Sequence, residues 1–60
     1  MTNKELKTKG FLSLAKIIVS AEDSGDKDLA GRAMSVANYK GIWEETLETV
    51  TIYRKEGRWF

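Results

Sequence analysis

An all-α fold is the class this sequence predicts, and three observations point to it. Apolar residues recur at spacings of three and four through most of the chain. Proline is absent, so nothing of that kind interrupts a helix. The chain also has no cysteine and no histidine, which leaves a 60-residue domain without disulfides or a structural zinc site. A domain of this size buries only about 60% of the surface its unfolded chain exposes. Stability must then come from close helix packing or from self-association.

The first helix is expected over about 4–22. Leu6, Phe11, Leu14, Ala15, Ile17, Ile18 and Ala21 form an apolar stripe, and Leu12 and Val19 widen it beyond one face. Thr2 or Asn3 can cap its start, and Glu5 sits in the first turn where the helix dipole favours a carboxylate. Gly10 is a weak point, costing about 1 kcal/mol relative to alanine in a helix interior. Lys4, Lys7 and Lys9 ahead of an apolar run give a superficial likeness to a signal peptide. Lys16 interrupts that run, and the run falls short of the roughly 20 residues needed to span a bilayer. A core helix is the preferred reading, and neither a membrane span nor a membrane partner is expected.

Residues 23–25 are the expected turn. Gly25 tolerates a positive φ, and Ser24 or Asp26 can cap the helix that follows. The acidic cluster around the turn does not make a calcium loop. Counting from Asp26, Ala30 and Ala37 fall where such a loop needs an oxygen ligand and a bidentate glutamate.

A helical region is expected over about 26–55. From Leu29 the positions Ala33, Val36, Lys40, Trp43, Leu47, Val50 and Arg54 step by four and three without slipping. Such a register predicts one long arm with a coiled-coil-like seam, and it places Leu47 in the core. Asn38-Tyr39-Lys40-Gly41 argues the other way, since a glycine after a lysine is a helix C-terminal signal. Two architectures therefore compete: a helical hairpin with a long second arm, which the register favours, and three helices broken near Gly41. Thr49 to Tyr53 is β-branched enough to enter a hairpin over 49–60. Helix to about Lys55, with a short aromatic tail over 57–60, is preferred because a lone two-stranded hairpin is marginal. Residues 1–60 read as a single domain. With no staple and a broad first helix, the chain is expected to self-associate into a dimeric helical bundle.

Chemistry has little to work with. Histidine and cysteine are missing, no serine sits in a nucleophile elbow, and no glycine-rich phosphate loop exists. Catalysis, a cofactor and a metal are not expected. The net charge of +1 announces no partner, although it is unevenly spread: +3 over 1–20, −3 over 21–30 and +1 over 31–60.

Two classes of function remain. The preferred one is a small non-enzymatic regulatory protein that acts by binding another protein, a profile shared by short phage and mobile-element proteins. Its interface, with a partner or with a second subunit, is expected at Trp43, Leu47, Val50, Tyr53, Trp59 and Phe60. Trp59 and Phe60 must dock back onto the helices or onto a partner. The alternative is a nucleic-acid-binding homodimer. An antiparallel hairpin would bring Lys4, Lys7 and Lys9 toward Arg54, Lys55 and Arg58, forming a basic patch for phosphates, with Tyr53 and Trp59 available to stack on bases. The absence of cysteine is compatible with a cytoplasmic location.

Overall fold

In the computed structural model, which describes residues 1–59, the chain folds into four helices: α1 (Asn3–Lys7), α2 (Phe11–Ser24), α3 (Lys27–Tyr39) and α4 (Trp43–Glu56). Among the described residues there is no strand, so the segment from Thr49 to Tyr53 is helical.

The single first helix expected over 4–22 is in fact two. α1 opens with a capping box: the Glu5 amide donates to Thr2 Oγ1 at 3.2 Å, and the Thr2 amide donates back to the Glu5 carboxylate at 3.2 Å. The helix then stops at Thr8, and Gly10 is extended (φ −84°, ψ −179°) before α2 begins. Glycine's low helix propensity is expressed here as a break rather than as a weak spot.

α2 ends where the turn was expected. Gly25 is left-handed (φ 79°), its amide bonds Glu22 O at 3.2 Å, and the Asp26 amide reaches Ala21 O at 2.8 Å. This paired closure satisfies carbonyls that a helix end would otherwise leave open. Of the two candidate caps for α3, Asp26 serves: its carboxylate accepts from the Leu29 amide at 3.1 Å.

The long second arm does not form. α3 closes at Gly41 (φ 73°), with the Ile42 amide bonded to Ala37 O at 3.0 Å and the Gly41 amide to Asn38 O at 3.1 Å. One continuous helix from Lys27 to Glu56 would run roughly 45 Å at 1.5 Å per residue. The longest dimension of the folded chain is 30 Å. The break near Gly41 is therefore a real change of direction.

α2 is the centre of the structure. α3 and α4 both pack on it, α1 packs on α3, and α3 and α4 touch each other little. The core joins Leu6 of α1, Leu14 and Ile18 of α2, and Ala33, Val36 and Ala37 of α3. Ile17, Leu29, Met34, Ile42, Trp43 and Val50 pack around it, partly buried.

The seam is also corrected. Its α3 positions Ala33 and Val36 are buried, but the phase is lost across Gly41. The inward positions of α4 are Thr46 and Thr49, at 0% and 3% exposure, whereas Leu47 is 46% exposed. The turn at Gly41 rotates α4 so that the inward face begins one residue ahead of the register. Lys40 and Arg54, the two charged positions of the seam, lie at the surface.

Candidate interaction surface

The displaced phase of α4 creates the most distinctive surface of the molecule. Trp43, Leu47 and Val50 lie on one side of α4, at the edge of the core rather than in it. Trp43 and Val50 are half-buried and Leu47 more open. One edge of α3 carries the helically spaced row Lys27, Gly31, Met34 and Asn38, and of these Met34 and Asn38 share a hollow with Trp43.

Two hollows follow this row. A trough of about 420 Å³ is lined by Glu22, Gly25, Lys27, Ala30, Gly31 and Met34. A second hollow of about 230 Å³ lies beside Met34, Ser35, Asn38 and Trp43. Met34 lines both, so they form one furrow with Trp43 at one end and a floor of small residues at the other. Gly31 contributes to the room: a Cβ placed there would meet nothing within 4 Å.

A smaller hollow lies on the opposite side of α4. Phe11, Thr49 and Ile52 line it together with Glu45 and Glu48. The two flanks of α4 thus differ in character, one apolar and open, the other apolar and acid-rimmed.

Tyr53 and Trp59 lie elsewhere. Their rings stack at 4.1 Å with 14° between planes, and Lys16 Nζ stands 5.8 Å from the Trp59 ring. The tail therefore folds back after Gly57, and Trp59 docks on its own chain as a clasp over α4 and α2. The expectation for Phe60 falls outside the described residues.

The two basic groups do not converge. Lys7 Nζ stands 5.0 Å from the Tyr39 ring, and Lys40 Nζ donates to the carbonyls of Lys7, at 2.8 Å, and Lys9. The lysines at positions 4, 7, 9 and 40 thus gather where α1 ends and α3 stops. Arg54 is at the far end of α2, bonded to Asp23 at 2.9 Å and Glu22 at 3.0 Å. From Phe11 to Asp23 the helix advances roughly 18 Å, and this length separates the groups. The hydrogen bonds that Arg54 donates to Asp23, and then to Glu22, raise its pKa above the usual range and hold it cationic. Arg58 pairs with Glu56 at 3.3 Å, and Lys55 is exposed. Antiparallel pairing would have joined the basic groups only if 26–55 had been one arm.

Sequence reasoning missed the α3 edge of Lys27, Gly31 and Met34, of which Met34 shares a hollow with Trp43. Their three- and four-residue spacing was visible, but nothing in the sequence showed that α4 would turn back beside that edge. Among the described residues no helix is long and apolar enough to cross a membrane. Comparison with known proteins finds no matching family model, no similar curated protein and no similar solved structure, so function is argued from the residues alone.

Proposed function

We propose that this chain is a small non-enzymatic interaction protein, regulatory in role, that works by binding another protein chain through the face formed by Met34, Trp43, Leu47 and Val50. One observation carries this reading: α4 directs Thr46 and Thr49 into the core and leaves Leu47 46% exposed beside half-buried Trp43 and Val50. Fully burying a leucine is worth about 1.5–3 kcal/mol, more than a threonine returns. Folding the isolated chain leaves that gain unused, and association recovers it. A half-buried tryptophan at the rim of a furrow has the character of an interface anchor.

The nucleic-acid alternative has less support. Arg54 is engaged by two carboxylates, and the Trp59 ring is stacked on Tyr53 with Lys16 nearby, which removes it as a platform for bases. A cytoplasmic setting fits a chain without cysteine.

Leu47→Asp is the direct test, because the residue is exposed enough for the fold to tolerate the change. Tagged parent and variant, shown to have equal helical content, are used to capture partners from the source cell. Loss of the captured chains with Leu47→Asp is expected, with capture retained when Lys4, Lys7 and Lys9 are replaced by glutamate. Equal capture by Leu47→Asp and parent would overturn the reading.

A further inference from the structure

We propose that the surface where α1 ends beside the end of α3 is a second binding site, for single-stranded nucleic acid. It shares no residue with the interaction face, and neither depends on the other. Tyr39, in the last turn of α3, is 76% exposed, the most open large apolar side chain among the described residues. Lys7 Nζ stands 5.0 Å from the ring centroid and leaves most of the ring to solvent. Lys40 follows Tyr39 and donates to the carbonyls of Lys7 and Lys9, which ties the end of α1 to the end of α3. Lys4 precedes Lys7 by one helical turn, on the same side of α1. Four lysines therefore gather at one end of the molecule beside one open aromatic ring. None of the four has an ion-pair partner among the described residues. Glu5, the one carboxylate of α1, is held by the Thr2 amide and hydroxyl.

Each part alone has an ordinary explanation. Lysine suits a helix C-terminus, and a single surface tyrosine is common. Together they meet the two requirements of a single strand, cations for the phosphates and an aromatic face for a base. An acidic peptide offers charge to the lysines but no base to the ring, so the ring selects the nucleic acid. Stacking accepts any base, and binding is therefore tolerant of sequence. Arg54 and Trp59 are engaged within the chain and take no part. Glu22, Asp23 and Asp26 lie at the other end of α2, so the field of the molecule turns the lysine end toward a polyanion.

Fluorescence anisotropy of a labelled oligothymidylate, titrated with the full chain across salt concentrations, tests the proposal. Lys4, Lys7 and Lys9 are the cations free for phosphates, since Lys40 is bound to carbonyls. At about −0.7 per phosphate on a single strand, they predict a slope of log affinity against log salt of about −2. Lys4→Gln with Lys7→Gln is expected to flatten the slope to about −0.7. Tyr39→Ala is expected to weaken binding at least about fivefold, and Tyr39→Phe, which keeps the ring, to bind as the parent does. An abasic strand of the same length is expected to bind more weakly than the oligothymidylate. Circular dichroism of each variant checks that the helical content is unchanged. Absence of binding at low salt overturns the proposal, as does binding indifferent to salt. Equal binding by Tyr39→Ala and parent, or of the abasic strand and the oligothymidylate, also overturns it, because the lysines alone would then be holding any polyanion.

Discussion

Leu14 and Leu47 show how little a residue's type says about its worth. Leu14 is fully buried, and Leu47 is 46% exposed. Leu14→Ala is expected to cost about 2–5 kcal/mol, as buried leucines do, and Leu47→Ala well under about 2 kcal/mol. Denaturant unfolding of the two variants, at concentrations where the chain is monomeric, checks the contrast. Thr46 makes the complementary case. It is fully buried, and its hydroxyl donates at 2.7 Å to Ile42 O, a carbonyl that already accepts the Thr46 amide at 3.0 Å. The hydroxyl is satisfied but not required, so Thr46→Val is expected to change stability by less than about 1 kcal/mol or to raise it. Glu5 gives a pH-dependent contribution. Hydrogen bonds from the Thr2 amide and hydroxyl lower its pKa below the usual carboxylate range. A carboxylate with a lowered folded pKa stabilises the native state above its unfolded pKa, and that contribution disappears as pH falls through the folded value. Fraying of α1 should therefore begin in acid below the ordinary glutamate range and be reduced but not abolished in Thr2→Ala, which loses the hydroxyl and keeps the amide donor; a carboxyl NMR titration of Glu5 with amide exchange of α1 reads both.

At the scale of elements, turn chemistry was the legible part of the sequence. Gly25 with Asp26, and Thr2 with Glu5, act through local hydrogen bonds whose donors and acceptors lie within a few residues, so their roles follow from spacing. Gly10 and Gly41 were visible as signals and were outweighed by the apolar periodicity on either side. Periodicity reports which residues share a face of a straight helix, and it carries no information once the axis bends. The glycines make a test of opposite signs. Gly41 holds φ 73°, where a Cβ costs about 1–2 kcal/mol, so Gly41→Ala is expected to destabilise by that amount. Gly31 is helical with open space around it, so Gly31→Ala is expected to stabilise the monomer by about 1 kcal/mol. Thermal melts of both variants against the parent decide the pair.

For the whole molecule, the shape follows from α2 being the shared partner. Its broad apolar surface meets α3 on one side and α4 on another, which is why a helix apolar over more than one face was needed. The ends are tied by exposed contacts. Arg54 joins α4 to the last turn of α2, and Trp59 closes over Tyr53 near Lys16. Arg54 and its partners are about half exposed and screened by water, so they orient α4 more than they stabilise it. The aromatic clasp is different. Trp59→Ala removes the stack and is expected to cost about 0.5–1.5 kcal/mol beyond the lost burial. A lower melting temperature, together with loss of the tryptophan signal of a ring packed on tyrosine, is the expected result. An unchanged melt would show that the tail contributes nothing to the fold.

By itself the sequence determined the helical class, the turn at Gly25, the pairs of residues from which the caps are drawn (Thr2 or Asn3, Ser24 or Asp26), and the lack of histidine and cysteine. Each of these depends on residue type or on hydrogen bonds spanning a few positions. Only the tertiary structure decided that α4 folds back at Gly41, that threonines rather than Leu47 face the core, and that the basic groups lie at opposite ends of α2. Those outcomes depend on the direction and rotation of one helix against another. A change of backbone direction at a single left-handed glycine resets both, and so it moved Leu47 from the predicted core to the surface and left Trp43 and Val50 at the core's edge.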